Sequence, residues 1–300
     1  MKFPFSEILL PTTVVGSYPC QKDRGFSALF DPYKKAVRTA IREQISAGID
    51  IISDGQVRGD MIQAFTSHLP GIRGQDVIGR VLPSPSEITV SDTKYACSQA
   101  RFVKGIITGP TTLSHGLHIS TPMYRNREEL SIDLAHALAK EAVALQSAGA
   151  AIIQIDEPIF STGIADLEAG KAAISVIVSK LQIPVCLHVC GNVIAVIDEV
   201  LRMPVHILDF EFSQNDENIG IISQKDLGKR MIGFGCVDSA SPDIESIGTI
   251  KKRILKGTEL FDPGMMLIDP DCGLRMQAQA AAYQKLVNMV AATREIREEI

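Results

Sequence analysis

An imidazole and a thiol two residues apart, His188 and Cys190, are the side chains with the clearest capacity for metal binding. At the end of a strand, residues i and i+2 point to the same face, so this pair can hold one cation. Zinc is the first candidate for a borderline-soft site of nitrogen and sulfur. Two further residues at predicted strand ends would complete the set. The sequence therefore predicts a zinc site of His188, Cys190, Glu211 and Cys272.

The predicted ligand set favours activation of a thiol over activation of water. Two thiolates and a carboxylate leave the site with net negative charge, which makes the metal a poor acid for water. Such a site is better suited to holding an incoming thiol as a nucleophilic thiolate. Glu211 is the weakest ligand for a soft cation and is expected to loosen when a substrate sulfur arrives. Because a lone His-x-Cys is a weak indication of metal, the prediction depends on the four residues converging.

Strands and helices alternate along the chain and would position these residues. Short apolar runs indicate eight strands, at 12–17, 50–53, 102–107, 151–155, 184–188, 206–211, 231–237 and 265–268. Helices are predicted near 32–48, 127–148, 166–181, 192–202, 245–257 and 277–298, with a shorter one after the sixth strand. Apolar runs of this kind are typical of parallel strands buried on both faces. The pattern predicts an α/β fold, a single (β/α)8 TIM barrel over residues 1–300.

A doubly wound open sheet is the alternative fold, but no Gly-x-Gly-x-x-Gly follows the first predicted strand. The stretch at about 61–100 breaks the regular alternation with several prolines and glycines and a strand-like patch at 88–90. We expect an insertion after the second strand, folded in part as a hairpin. On a barrel such an insertion lies over the carboxyl ends of the strands, where active sites form.

Polar residues collect just past the predicted strand ends, and in a barrel these ends surround one mouth. At several of these positions, a structural role is an alternative to a role in an active site. Asp156, Glu157 and Asp238 could be helix caps. Five other residues have ordinary explanations. Cys186 and Cys236 would be small core side chains, His206 a structural histidine, and His115 and His118 solvated loop histidines.

Composition restricts the class of partner and the compartment. Apolar residues make up 45% and charged residues 22%, and the formal net charge is −5. Without a basic run, this charge argues against nucleic acid or an anionic membrane as partner. No apolar run approaches the roughly 18 residues of a membrane span. Six dispersed cysteines predict free thiols or metal ligands, so we expect a cytoplasmic protein.

Six stretches carry a family resemblance that runs the whole length of the chain: 13–19, 53–61, 105–110, 154–158, 188–190 and 269–274. They resemble the catalytic C-terminal barrel of cobalamin-independent methionine synthase, in particular the short, archaeal-type core synthases that lack the N-terminal barrel. The resemblance implies the same four zinc ligands and homocysteine as the substrate, with its thiol on zinc. It also implies that Gly16 and Ser17 bind the substrate carboxylate and that Asp156 binds its ammonium group.

Three departures from the long synthases bear on substrate and methyl donor. Gln56 stands where they have glutamate, so it would contact the substrate without contributing charge. Ala240 stands where they have a histidine thought to assist protonation of the leaving folate. The chain has no tryptophan, and the loop where they carry one is 112–116. Because tetrahydrofolate is a poor leaving group that benefits from protonation, these losses predict methylcobalamin or a methylated corrinoid protein as donor.

Other functions remain open at this stage. A folate-dependent methionine synthase is one alternative, and a methyltransferase acting on another thiol such as coenzyme M is a second. A non-catalytic barrel with a closed structural zinc is a third, although a chain of this size has little need of such a site. The surface at 113–123 is expected to help receive a corrinoid donor.

Overall fold

The computed structural model describes residues 3–19, 22–23 and 31–300. Strands in this part of the chain are β1 (Ile51–Ile52), β2 (Ile72–Arg73), β3 (Asp76–Val77), β4 (Phe102–Thr108), β5 (His118–Ile119), β6 (Ile152–Asp156), β7 (Val185–Val189), β8 (Ile207–Glu211), β9 (Met231–Val237) and β10 (Met266–Pro270). Helices are α1 (Lys34–Ala47), α2 (Gln63–Thr66), α3 (Val90–Cys97), α4 (Pro110–His115), α5 (Arg127–Ser147), α6 (Leu167–Val178), α7 (Ile197–Val200), α8 (Asp216–Ile222), α9 (Ile247–Thr258) and α10 (Gln279–Glu299).

Seven strands form one parallel sheet in the order β1-β4-β6-β7-β8-β9-β10. Strand order follows chain order without reversal, which distinguishes the sheet from the doubly wound alternative. Of the six strands that follow β1 in this sheet, all but β8 are buried at every residue, and β8 is buried except at Glu211. Helices cover the outside of the sheet, so the predicted α/β class and the parallel arrangement are confirmed.

The segment predicted as a first strand at 12–17 pairs through only two residues. Thr12 bridges to Ile268 on one edge strand, and Thr13 bridges to Ile51 on the other. The two edges of the curled sheet therefore meet at this segment. Regular pairing does not continue past these bridges, because the next two carbonyls accept hydrogen bonds from buried side chains of β4 and β6. The prediction of a six-residue strand at 12–17 was wrong, although two residues of the segment do pair with strands of the sheet.

The segment between β1 and β4 contributes two of the three strands of a small separate sheet. β2 and β3 pair as an antiparallel hairpin, and β5 joins β3 in parallel. The strand-like patch at 88–90 was wrongly predicted, because Val90 is the first residue of α3. The carboxylate of Glu141 accepts hydrogen bonds from the backbone N–H groups of Ile88 and Thr89. This side-chain cap outweighs the strand preference of three β-branched residues.

Two other element predictions differ from the structure. The helix predicted at 192–202 shortens to the four residues of α7. Its first part is a loop whose Val193 N–H donates to the side chain of Asn218. The segment 112–116, predicted as a loop, lies mostly within α4 instead, which has Pro110 at its first turn. No helix among the described residues is long and apolar enough to cross a bilayer.

Candidate active site

The carboxyl ends of the parallel strands surround a cavity of about 330 Å³. This volume suits one small molecule. The strand register places the key residues side by side, since Asp156 is level with His188 and His188 is level with Asp209. The cavity is lined by members of the predicted set from five separate parts of the chain, namely Ser17, Gln56, Asp156, His188, Cys190 and Cys272.

A cluster of three potential metal ligands lies on this cavity. A ring nitrogen of His188 and the sulfur atoms of Cys190 and Cys272 all lie within 4.8 Å of one another. Ligand atoms around a tetrahedral zinc are roughly 3.5–4 Å apart, given bond lengths near 2.0 Å to nitrogen and 2.3 Å to sulfur. Small side-chain movements would therefore let all three residues bind one ion. The residues present fit a zinc ion.

The buried carboxylate of Asp209 determines which nitrogen of His188 faces the cluster. Asp209 Oδ2 lies 3.1 Å from His188 Nδ1, and both side chains are almost fully buried. The ring also interacts with the Cys272 thiol, so Nε2 is the nitrogen on the side of the cluster. Histidines that bind metals commonly donate from the second nitrogen to a carboxylate, which fixes the ring and its tautomer. His188 is therefore oriented to offer Nε2 as a ligand.

Glu211, the fourth predicted ligand, does not converge with the other three. Its carboxylate Oε2 accepts a hydrogen bond of 2.7 Å from the side chain of Asn215. Burial raises the pKa of this carboxyl, and a hydrogen bond from the backbone of Gly191 opposes the rise. Glu211 lies at the end of β8, near the three-residue cluster, with its carboxylate held by other partners.

The ionisation of the cluster residues follows from their packing. Burial disfavours charge on His188, but the Asp209 carboxylate outweighs it and raises the pKa of the imidazole well above its usual value. The hydrogen bond with Cys190 and burial together raise the pKa of the Cys272 thiol. A divalent cation bound among these groups would reverse both effects, since it favours neutral imidazole and ionised thiol.

Asp156 lies at the end of β6, beside the cluster. Burial raises its pKa to about 6, against the opposing influence of His188 and a hydrogen bond from Gln154. That bond runs from Gln154 Nε2 to Asp156 Oδ1 at 2.7 Å. A buried carboxylate with a raised pKa lacks a full cationic partner, so it is suited to bind a cation that enters the cavity.

Gln56 has a left-handed backbone, with φ of 42°. Its N–H donates to the Asp54 carboxylate at 2.9 Å, and the guanidinium of Arg275 donates to its carbonyl at 3.0 Å. Gly16 packs directly against its side-chain amide. A non-glycine residue with this conformation is held by its surroundings, as often happens at binding sites. Two loops thus fix Gln56 at the cavity.

Ser17 joins the first segment of the chain to the loop that carries Cys272. The backbone N–H of Leu274 donates to the Ser17 carbonyl at 2.8 Å. A Cβ atom on Gly273 would lie 2.0 Å from Ser17 Oγ. A side chain at this position would therefore force the Ser17 hydroxyl to move.

Replacing Gly273 by alanine is expected to displace Ser17 and lower stability by about 1–3 kcal/mol, the usual cost of overpacking. Thermal unfolding would measure the loss, and a metal titration would show whether the Cys272 loop is disturbed. Gly220→Ala is the control, because a Cβ at this helical position meets no atom within 4 Å. Equal stability of the two variants would contradict the close contact.

Several simpler interpretations are confirmed, but Asp238 does not cap the next helix. Ser246 caps α9, and Asp238 Oδ1 accepts hydrogen bonds from the N–H groups of Ala240 and Ser241 in the turn after β9. His206 Nδ1 accepts from the backbone N–H of Val185. Glu157 is a cap, but for α4, since it accepts from the N–H groups of Thr111 and Thr112. Cys186 and Cys236 are buried core residues.

The sequence analysis did not identify three residues that hold parts of the site in place. Asp209 and Lys104 lie inside apolar strands and are nearly inaccessible to solvent. A charged residue within an otherwise apolar strand was the available signal, because burying a charge is costly unless it is paired. Arg275, which holds the Gln56 loop, gave no comparable signal.

A curled parallel α/β sheet with an imidazole, two thiols and an acid at its carboxyl ends defines a barrel-type enzyme with a thiol-rich site. A family model described as "Cobalamin-independent synthase, Catalytic domain" matches residues 10–295. The chain belongs to this family and is an enzyme of the methionine synthase type.

Relatives support this assignment, and solved structures share the fold. Proteins named methionine synthase from Methanocaldococcus jannaschii and Methanothermobacter marburgensis are 42% and 40% identical, with 95% of this chain and 99% of each relative covered. A B12-independent methionine synthase from Shewanella sp. W3-18-1, in complex with selenomethionine, has the same fold. Its TM-score is 0.87 at 23% identity, with 97% of this chain and 99% of that chain covered. A methyltransferase from Methanosarcina mazei has a TM-score of 0.70 at 16% identity, with 96% and 94% covered.

Proposed function

We propose that this enzyme transfers a methyl group to the thiol of homocysteine, forming methionine, at a zinc ion held by His188, Cys190 and Cys272. The convergence of these three ligand atoms beside Asp156 is the observation that carries the proposal. Relatives with 40% identity or more along 95% of the chain are named methionine synthase, which supports the same reaction. Glu211 is proposed as a fourth ligand that can be exchanged for the substrate sulfur.

Bound zinc would lower the thiol pKa and keep the substrate sulfur nucleophilic at neutral pH. The residues of the chain bind and orient the rest of the amino acid. Asp156 accepts the ammonium group, Gly16 and Ser17 bind the carboxylate, and Gln56 adds an uncharged contact. The sulfur then attacks the methyl carbon in line, so a C–S bond forms while the donor keeps the electrons of the bond that breaks. Positioning supplies much of the rate enhancement.

Homocysteine carries an ammonium group and a carboxylate, whereas a thiol such as coenzyme M carries a sulfonate and no ammonium group. Coenzyme M would therefore place no cation against Asp156. The carboxylate of Asp156 is buried, and an unpaired charge there is costly. An amino-acid thiol offsets this cost, which favours homocysteine.

The family match, with its cobalamin-independent description, gives no support to methylcobalamin or a corrinoid protein as donor. The donor is therefore proposed from residues alone. Ala240 supplies no acid, and the chain has no tryptophan for stacking on a pterin. A donor whose leaving group needs no proton fits these residues better than folate does.

The test is an assay of purified, zinc-loaded enzyme with homocysteine and each donor. Methionine should form with methylcobalamin, used as a stand-in for a methylated corrinoid protein. Turnover with methyltetrahydrofolate-triglutamate but not with methylcobalamin would reverse the choice of donor. Methylation of coenzyme M in preference to homocysteine would overturn the proposed substrate.

Asp209→Asn is expected to weaken zinc binding by about 10–100-fold, the usual cost of removing a carboxylate that orients a histidine ligand. Asparagine retains the size of the side chain but can present an N–H to Nδ1 and favour the wrong tautomer. Competition with a chromophoric chelator measures the affinity. Unchanged zinc affinity in this variant would show that Asp209 does not orient the ligand.

The complete fold is proposed to be one domain, a (β/α)8 barrel in which the segment around Thr12 and Thr13 is the first of eight strands and lies between β10 and β1. Residues at about 61–100 would be an insertion after the second strand, which is β1. The small sheet of β2, β3 and β5 supports this assignment, since none of its strands pairs with the parallel sheet.

A further inference from the structure

Lys104 is a buried lysine within β4, with 1% of its surface exposed. Its ammonium group donates to the backbone carbonyl of Val14 at 2.9 Å and to Gln154 Oε1 at 2.7 Å. Burying an ammonium group is costly, so a chain retains one where its hydrogen bonds have a purpose. Neither the ligand cluster nor the proposed methyl transfer requires Lys104 directly.

Gln154 is also fully buried, on the neighbouring strand β6. Its Nε2 donates to the Val15 carbonyl at 2.7 Å and to Asp156 Oδ1 at 2.7 Å. The orientation of the amide is determined by chemistry: lysine can only donate, so the oxygen must face Lys104 and the nitrogen must face the carboxylate. Both donor hydrogens of the amide are used.

These two residues connect the two halves of the amino-acid site. Val14 and Val15 lead directly into Gly16 and Ser17, the proposed carboxylate contacts, and Asp156 is the proposed ammonium contact. From this geometry we infer that Lys104 and Gln154 are positioning residues that hold the two halves at the spacing of an α-amino acid. They thereby set the preference for an amino-acid thiol over a simple thiol. The inference rests on the proposed function.

The local structure explains why such a connection is needed. The chain at Val14 and Val15 has left the strand pairing that ends at Thr12 and Thr13, so the sheet no longer holds it. Hydrogen bonds from the two buried side chains anchor its carbonyls instead. Asp156, in turn, is restrained by Gln154. Loss of Gln154 would free both contacts directly, because its amide bonds both Val15 and Asp156. Loss of Lys104 would free the Val14 carbonyl and remove the partner that fixes the orientation of the Gln154 amide.

The test compares binding of homocysteine with binding of 4-mercaptobutanoate, which is homocysteine without its amino group. Calorimetry on zinc-loaded protein would give both affinities for the wild type, Lys104→Met and Gln154→Leu. We expect both variants to lose about 10–100-fold in homocysteine affinity, the effect of disturbing a hydrogen bond to a charged group. The analogue should lose much less, so the ratio of the two affinities should fall at least about tenfold.

Gln277→Leu is the matched control. Gln277 is another buried glutamine whose Nε2 donates to a backbone carbonyl, that of Ser239, at 2.7 Å. Its replacement should lower the melting temperature without changing the affinity ratio. Circular dichroism and zinc content would establish that each variant is folded. If Gln154→Leu does not fold, Gln154→Asn retains a polar amide that is too short to span the same partners.

Two results would overturn the inference. A loss of equal size for both ligands would show that the residues only stabilise the fold, and unchanged affinities would show that they are not needed. Failure of the wild type to bind homocysteine is a different outcome: it would reject the proposed function, and the inference with it.

Discussion

Cys190→Ser is expected to abolish stoichiometric zinc binding and to lower kcat/KM for homocysteine by about 10³-fold, or roughly 4 kcal/mol. Serine is nearly the same size but is a poor ligand for a soft cation, because its hydroxyl does not ionise at neutral pH. Only two of the three converging ligand atoms would remain. Zinc content after dialysis and steady-state kinetics on the same sample would measure both effects.

Cys97→Ser is the matched control for this prediction. Cys97 is a free, half-buried thiol like Cys190, but it lies in α3 and is not part of the ligand cluster. Its replacement should leave zinc content and kinetics unchanged. Full zinc content and activity in the Cys190 variant would show that this thiol is not a ligand.

Asp156→Asn is expected to raise the KM for homocysteine by about 10²-fold, because the ammonium group loses a buried ionic partner. Asparagine has the same shape, so the cavity and the cluster should survive. The KM for 4-mercaptobutanoate, which has no ammonium group, should change little or even fall. Kinetics with both thiols would measure the difference.

Asp238→Asn controls for the general effect of removing an acid at a strand end. Asp238 follows β9 and caps the backbone of Ala240 and Ser241. Its variant should be less stable, with the homocysteine KM within about twofold of the wild type. If the KM of the Asp156 variant were unchanged for homocysteine, the ammonium site would have to be elsewhere.

The parts of the fold that local pattern determines were predictable from the sequence. Met231–Val237 was predicted as a strand with the bounds that β9 has, because an apolar run of this length has few other ways to be buried. The proximity of His188, Cys190 and Cys272 followed from placing each at a strand end, since a curled parallel sheet brings these ends together.

The remaining features depend on long-range contacts that no local pattern reveals. Val90 begins a helix because Glu141, far along the chain, caps the preceding residues. The segment at 12–17 departs from a strand because Lys104 and Gln154 bind its carbonyls. Glu211 was predicted as a ligand from its strand end alone and stays a prediction, and the hydrogen bond that its carboxylate accepts from Asn215 could not be foreseen from the sequence.

The coordination of zinc in the presence and absence of homocysteine is the most direct test of the central claim, that the cluster holds a metal which receives the substrate thiol. X-ray absorption at the zinc edge counts sulfur neighbours. Two sulfurs are predicted for the enzyme alone, from Cys190 and Cys272, and three after homocysteine is added. A sulfur count that does not change with homocysteine would contradict the account.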